Sequence, residues 1–269
     1  MSHYRKQLSQ VTMTAKIDTL IRYPVKGLSG ESLNTVQLAP GQGFPCDRQF
    51  GFARPNSGFD PNQPKPLPKT KFYMLARDAS LVLLSTRFNE KTGVLSMLAP
   101  DSSGKFDITT EEGGKKASEF LQSYLALPQH ELPQLFEAYP HRFTDVSVVS
   151  TAMMNAVSLI NLDSVQAFSK ATGLGVDPRR FRGNIYFSGL APFSELEMVE
   201  RQIAIGTVRL KIVSRTQRCP ATEVDQITGE RDINVPALLQ QNYHHKDMGV
   251  YAEVLQGGVI AHGDSIEFL

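Results

Sequence analysis

Short runs of alternating apolar and polar residues, separated by Gly, Pro, Asp or Asn, dominate this chain. Alternation with a period of two places every second side chain on one face of an extended strand, whereas a helix needs a period near 3.6. Turn-forming residues at both ends of such runs favour many short strands. The pattern predicts a mainly β protein with a few helices, with strands at 16–22, 32–38, 49–53, 81–86, 94–98, 106–109, 251–255 and 265–268.

Three segments break this pattern with helical spacing. One follows Gly113-Gly114, carries its apolar residues at 117–125 and stops at Pro128. A second spans 165–171, with Asn161 or Asp163 as its N-cap and Gly173 as its end, and a third is a short helix around Pro236. The segment 55–68 contains five prolines, which lack the N–H that a central strand needs. It is predicted to be an extended surface loop, either lying over a site or acting only as a spacer.

Charge and cysteine content exclude several classes of protein. The 28 basic and 27 acidic side chains give a net charge of +1, so there is no overall field to attract nucleic acid. No secretory signal and no run of about 18 apolar residues occurs, which argues against a membrane span. Cys46 and Cys219 lie far apart in the sequence and do not suggest a disulfide framework. A cytoplasmic, reducing location is predicted.

Cys219 is the most chemically suggestive residue, because Arg215 and Arg218 precede it and Pro220 follows it. Nearby guanidinium groups favour a thiolate, which is both a nucleophile and a soft metal ligand. An arbitrary lone cysteine more often packs as a small apolar side chain, and we interpret Cys46 in that way.

Several cationic side chains occupy turn-like positions next to Gly or Pro. They are Lys26, Arg48, Arg182, Arg215 and Arg218. Together they would suit an anion site, but scattered surface charges explain the spacing equally well. The chain has no G-x-G-x-x-G, G-x-x-x-x-G-K-[ST], H-E-x-x-H or C-x-x-C motif. The pair His244-His245 is predicted to lie in an exposed loop rather than to bind a metal.

The order of five motifs resembles the MOSC superfamily, in particular the branch with an N-terminal β-barrel domain that includes the mitochondrial amidoxime-reducing component. The motifs are Tyr23-Pro24-Val25-Lys26-Gly27, Asp47-Arg48-Gln49-Phe50, Phe181-Arg182-Gly183-Asn184-Ile185, Arg218-Cys219-Pro220-Ala221-Thr222-Glu223-Val224-Asp225 with Thr228-Gly229, and Gly263-Asp264. The resemblance covers nearly the whole chain. It implies a flexible tail over 1–15, an N-terminal β-barrel domain over 16–140 and a MOSC barrel over 141–269, with a site between the two domains.

The resemblance also implies a molybdenum cofactor, a pterin with a dithiolene and a terminal phosphate. Cys219 matches the metal ligand of the family, and Tyr251 matches a tyrosine near the site. The positions matching pterin, phosphate or nearby backbone contacts are Lys26, Arg48, Arg182, Asn184 and Arg218. Asn155 is predicted as a further cofactor-binding residue. Gln217, Gly27 and the segment Met153-Met154-Asn155 depart from the family pattern, and no proton donor is identified from the sequence.

Three functions remain open on this evidence. The first is an oxidoreductase that reduces small N-hydroxylated compounds. Two cysteines cannot form an iron–sulfur relay, so its electrons would come from a separate donor protein such as a ferredoxin, a flavoprotein or a b-type cytochrome system. The alternative is a cofactor carrier or sulfur-transfer protein that uses Cys219, and the third is a binding module without catalysis. No nucleic-acid or membrane partner is predicted.

Overall fold

The computed structural model of the protein describes residues 13–269. Of the predicted flexible tail, residues 1–12 lie outside the described residues, while residues 13–15 already belong to the first strand. Within the described part, the strands are β1 (Met13–Arg22), β2 (Glu31–Leu33), β3 (Thr35–Leu38), β4 (Phe50–Ala53), β5 (Ser85–Asn89), β6 (Val94–Leu98), β7 (Ser103–Asp107), β8 (Gln134–Glu137), β9 (Val157–Asn161), β10 (Ile185–Ser188), β11 (Gln202–Ile205), β12 (Val208–Gln217), β13 (Asp247–Gln256), β14 (Gly258–Ala261) and β15 (Ser265–Phe268). The α-helices are α1 (Glu111–Tyr124), α2 (Thr151–Met154), α3 (Leu162–Thr172) and α4 (Val235–Tyr243). The predicted fold class, mainly β with a few helices, is confirmed.

Seven strands form a closed barrel in the order β10-β9-β13-β12-β11-β15-β1, and β1 pairs with β10 to complete it. All neighbours are antiparallel except β9 and β10. On β12, Val208, Leu210 and Ile212 alternate with more exposed residues and are fully buried in the main core. The alternating apolar residues of β12 therefore point into the barrel interior, and Cys219 follows two residues after the end of this strand.

The first strand belongs to this barrel although it lies far from the other barrel strands in sequence. β1 pairs with β15 on one side and with β10 on the other, and β3 pairs with β14. A boundary between domains at residue 140 stays a prediction, but the barrel built mainly from residues beyond it also contains β1.

A second core lies under β4 to β8 and α1. β4 pairs with β8, and β5, β6 and β7 form a three-stranded sheet. The predicted strand at 81–86 is wrong: residues Ala79–Leu83 form a 3-10 helix, and β5 starts only at Ser85. Leu81 and Leu84 are both buried three residues apart, which is the spacing of a 3-10 turn and not of a strand. The predicted strand at 32–38 is interrupted at Asn34, between β2 and β3.

The helices begin and end largely where capping residues predict. Asn161 caps α3 by accepting a hydrogen bond from the Asp163 N–H, and Gly173 ends it in the left-handed conformation. The prediction that α1 follows Gly113-Gly114 is wrong, because Thr110 caps α1 and both glycines lie inside its first turn. The short helix α2 was not predicted. Over residues 13–269, none of the helices is long and apolar enough to cross a membrane.

Candidate functional site

A cavity of about 670 Å³ opens beside the end of β12, between the barrel and the turns and loops around Lys26 and Met74. Seven basic and two acidic residues line it, in a chain whose net charge is only +1. The basic residues are Lys26, Arg48, Lys69, Arg180, Arg182, Arg215 and Arg218, and the acidic ones are Asp47 and Asp145. The fold therefore concentrates cations that are dispersed along the sequence, which creates a local site for an anion.

Cys219 lies in the cavity wall, two residues after β12 ends. It is the N-cap residue of a 3-10 helix at Pro220–Glu223, and its side chain makes no capping hydrogen bond. Its carbonyl accepts hydrogen bonds from the N–H and the hydroxyl of Thr222, at 3.0 and 2.9 Å. The backbone is thus held while the thiol faces the cavity, partly exposed.

The other cysteine behaves as the sequence predicts. Cys46 packs against the core cluster under β4 to β8. Burial raises the pKa of its thiol above the ordinary value, so its neutral form is favoured. Cys46 is therefore packed against a core, whereas Cys219 is partly exposed in the cavity wall.

Arg180 holds the loop that follows Cys219. Its guanidinium is almost completely buried and donates to both carboxylate oxygens of Asp232, at 2.8 and 2.7 Å, and to Asp225 at 2.9 Å. Asp225 in turn accepts hydrogen bonds from the N–H groups of Ile227 and Thr228. The segment from Arg218 to Gly229 thus contains both the Cys219 thiol and the Asp225 carboxylate, whose hydrogen bonds hold the loop in place.

Arg48 and Arg182 share one aromatic ring. Their guanidinium carbons lie 4.4 and 4.3 Å from the centroid of the Tyr23 ring. Arg48 also forms an ion pair with Asp47 at 2.5 Å and donates to the Arg182 carbonyl at 2.9 Å. Among residues 13–269, the Arg182 guanidinium has no hydrogen-bond acceptor and no acidic partner, although burial lowers its pKa. Arg182 is therefore a cation held in place by stacking and available to a ligand.

Lys26, Lys69 and Asp145, which we call the lysine–aspartate cluster, lie on another side of the cavity. Lys26 is buried, donates to the Phe143 carbonyl at 3.0 Å and pairs with Asp145. Lys69 reaches the other oxygen of Asp145 at 3.4 Å. Burial acts to raise the pKa of Asp145, but the two ammonium groups outweigh it and hold that pKa below its usual range. For Lys26, burial is the largest effect and lowers its pKa.

Of the other predicted site residues, Arg218, Tyr251 and Asn184 line the cavity, whereas Asn155 does not. Arg218 donates to the carbonyls of Met248 and Phe181, at 2.8 and 2.9 Å, and lies in the cavity wall with Tyr251, whose pKa is raised by burial. Asn184 also borders the cavity, but its side chain bonds to backbone. Asn155 is not brought into the cavity wall, since its amide donates to the Gly41 carbonyl at 3.1 Å.

Of the cavity residues that the sequence analysis did not single out, Lys69, Asp145 and Thr216 have polar side chains that bear most on the site. Lys69 follows the proline-rich segment, which gave it no recognisable motif, and Asp145 lies in a segment with no regular spacing. Thr216 is buried with a hydroxyl oxygen that has no partner among the described residues. Only its position three residues before Cys219 could have drawn attention to it. In the same part of the chain, no three His, Cys, Asp or Glu side chains come together to hold a metal ion by themselves.

Comparisons with known proteins identify two domains in this chain. The MOSC domain model matches residues 140–267, and the MOSC N-terminal beta barrel domain model matches residues 14–133. The chain is similar to the molybdenum cofactor sulfurase of Caenorhabditis briggsae, at 24% identity over 265 residues, covering 91% of this chain and 35% of the relative. It is also similar to the molybdenum cofactor sulfurase of Bos taurus, at 28% identity over 166 residues, covering 54% and 19% of the two chains.

The chain thus spans about a third or less of the length of these relatives. Among solved structures, the YuaD protein from Bacillus subtilis aligns over 96% of both chains with a TM-score of 0.44 and 11% identity. The two domain models together match most of the chain, on either side of residues 134–139. The chain belongs to the MOSC family and carries the N-terminal beta barrel domain of that family.

Proposed function

We propose that the cavity binds the molybdenum cofactor, with Cys219 as the thiolate ligand of the metal, and that the protein reduces N-hydroxylated compounds. The observation that carries this proposal is the presented thiol of Cys219 inside a cavity lined by seven basic residues. The molybdenum cofactor sulfurases among the relatives support a connection with this cofactor.

The donor set of the cavity fits such a group. A pterin with a dithiolene and a terminal phosphate is anionic, and guanidinium groups bind phosphate with charge-assisted hydrogen bonds. Arg182 has no acidic partner in the described part of the chain, and the Thr216 hydroxyl is buried there without a partner. A soft metal favours a thiolate, which Cys219 supplies. Arg182 and Arg48 would hold the phosphate or pterin, and Cys219 would bind the metal.

The protein's own residues would orient the reaction. The Tyr23 ring fixes the directions of both guanidinium groups, and Lys26 holds Asp145 at the wall of the cavity that Cys219 also lines. When bound, the cofactor would supply the two-electron chemistry. Overall, the N–O bond of the substrate breaks, two electrons and two protons are consumed, and the oxygen leaves as water. The electrons would come from a separate donor protein and the protons from solvent. A cytoplasmic location stays a prediction.

The test uses protein purified from a host that makes the cofactor. We expect about one molybdenum and one pterin per chain, and oxidation of reduced viologen only when benzamidoxime is added. NADH or NADPH alone should give no turnover. Cys219→Ala should abolish turnover, and the matched variant Cys46→Ala should keep it. Full activity of Cys219→Ala, or the absence of molybdenum from the wild-type protein, would contradict the proposal.

A second candidate is sulfur transfer, favoured by the similarity of the chain to molybdenum cofactor sulfurases. In this function the Cys219 thiolate would take the outer, sulfane sulfur of a cysteine persulfide on a separate donor protein, and the donor cysteine would leave as a thiol. Intact-mass measurement distinguishes the two functions. A sulfur adduct on Cys219, together with no turnover across a panel of N-hydroxylated and S-oxide compounds, would favour sulfur transfer over reduction.

A further inference from the structure

The lysine–aspartate cluster contains one cation, Lys69, that is not the sole charged partner of Asp145. Asp145 accepts from Lys26 on one oxygen and from Lys69, at 3.4 Å, on the other. Lys26 is buried and also bonded to the Phe143 carbonyl. The Lys69 side chain is 32% exposed and reaches Asp145 at the long end of an ion-pair distance. If Lys69 turned away, Asp145 would keep a charged partner, so the movement leaves no buried charge unpaired.

Lys69 is also placed to meet a molecule in the cavity. It lines the same cavity as Cys219. Its ammonium group lies within interaction distance of both Asp145 and the Cys219 side chain. The 3-10 helix Lys69–Lys71 that carries it directly follows the proline-rich segment. Because proline restricts the backbone, this segment holds the lysine at the cavity with little conformational freedom.

The cavity wall next to the cluster is apolar. Val146 directly follows Asp145, and Val149 and Met153 lie further along the same segment, all three lining the cavity. Val149 is 67% exposed in spite of its size. Such a wall suits the apolar body of a small molecule, while a nearby cation fixes one polar end of it.

From this arrangement we propose that Lys69 is a specificity-determining residue that binds a carboxylate on the substrate. The preferred substrates are then N-hydroxylated compounds with an aryl or alkyl body and an anionic substituent. The inference rests on the proposed function for the identity of the reacting group, but the anion subsite itself depends only on Lys69, Asp145 and the apolar wall. An anionic group of the cofactor has the same chemistry, so the experiment must separate the two sources.

The test compares 4-carboxybenzamidoxime with benzamidoxime, which lacks the carboxylate. Binding of each to the cofactor-loaded protein is measured by calorimetry, and turnover is measured with reduced viologen. Wild type should bind the carboxylate compound about fivefold more tightly, the effect of one half-exposed ion pair. Lys69→Met should lose that advantage in KM, its effect on KM for benzamidoxime should be smaller, and its pterin content should stay unchanged. Lys71→Met is the matched control, because Lys71 is an exposed lysine of the same 3-10 helix that does not line the cavity.

The possible results of this experiment separate the anion-subsite inference from the reductase proposal. An equal effect of Lys69→Met on both compounds would overturn the inference, and so would loss of pterin from this variant, which would assign Lys69 to the cofactor. If the carboxylate compound binds selectively but no amidoxime is turned over, the reductase proposal fails while the anion subsite stands. If the wild type turns over both compounds and binds them with equal affinity, the anion-subsite inference fails while the reductase proposal stands.

Discussion

At the scale of single residues, two arginines that are nearly adjacent in sequence have different roles. Arg180 is almost fully buried and its ion pairs with Asp225 and Asp232 brace the loop after Cys219. Arg182 stacks on Tyr23 and has no acidic partner among residues 13–269. Both belong to one arginine-rich turn, so their identity alone does not distinguish the structural charge from the one available to a ligand.

This difference predicts opposite results for two alanine variants. Arg180→Ala removes the cationic partner of Asp225 and Asp232 and should lower the free energy of unfolding by about 2–3 kcal/mol. Arg182→Ala breaks no ion pair in the described structure but removes the stacking on Tyr23, and should lower the free energy of unfolding by only about 0.5–1 kcal/mol while reducing pterin retention. Urea denaturation and pterin content after gel filtration measure the two effects. Full pterin retention in Arg182→Ala would remove this residue from the site.

The lowered pKa of a third residue, Asp145, predicts that the stability of the protein depends on pH. Its pKa in the folded protein is depressed below the ordinary value of 3.8, since the ammonium groups of Lys26 and Lys69 outweigh the effect of burial. A depressed carboxyl pKa contributes stability above the unfolded pKa, and this stability is lost as pH falls below 3.8. In Asp145→Asn the loss of stability below this pH should be smaller than in wild type. Urea midpoints measured from pH 7 down to about pH 2 test this, and parallel curves for both proteins would contradict it.

At the scale of elements, the site depends on how strand ends are joined. Asn184 is buried just before β10, where its side-chain oxygen accepts from the Ser158 N–H at 3.1 Å and its amide donates to the Ile21 carbonyl at 3.2 Å. This residue therefore connects β9 and β1 at the cavity. Its predicted role as a cofactor contact stays a prediction, and the structure adds a role in holding the barrel together.

Removing this side chain should destabilise the barrel. Asn184→Ala leaves a buried N–H and a buried carbonyl without their partners, and should lower the free energy of unfolding by about 2–3 kcal/mol. The matched control is Asn242→Ala, because Asn242 lies on the exposed surface of α4 and bonds only to the Leu238 carbonyl one turn earlier. Chemical denaturation of both variants provides the measurement. Equal stability of the two would show that the Asn184 hydrogen bonds contribute little.

At the scale of the whole molecule, the two ends of the chain build one barrel and the loop of Cys219 is tied to the N-terminal part. β1 lies between β15 and β10, so the barrel closes only when residues 13–22 are present. Arg231 donates to the Pro220 carbonyl at 2.8 Å and to the carbonyls of Leu75 and Ala76, at 3.0 and 2.8 Å. The reactive thiol is thus positioned by contacts from both halves of the sequence.

We therefore predict that residues 141–269 do not fold alone. Without β1, the edges of β15 and β10 are open and the apolar barrel interior is exposed to water, which favours aggregation. Joining residues 13–44 to 141–269 through a flexible linker should restore a cooperative thermal transition, which circular dichroism can follow. A cooperative transition of 141–269 by itself would show that the barrel tolerates the loss of β1.

The sequence by itself determined features that depend on neighbouring residues. The period of two along β12 and the end of α3 at Gly173 were predicted correctly, and Asn161 is one of the two N-caps that the sequence offered for α3. The packing of Cys46 also agrees with its prediction. The tertiary structure was needed to show that β1 closes the C-terminal barrel and that Lys69 and Asp145 meet in the cavity that Cys219 also lines. The physical reason is that strand pairing and ion pairing join residues far apart in sequence, and neither leaves a periodic trace in the segments that take part.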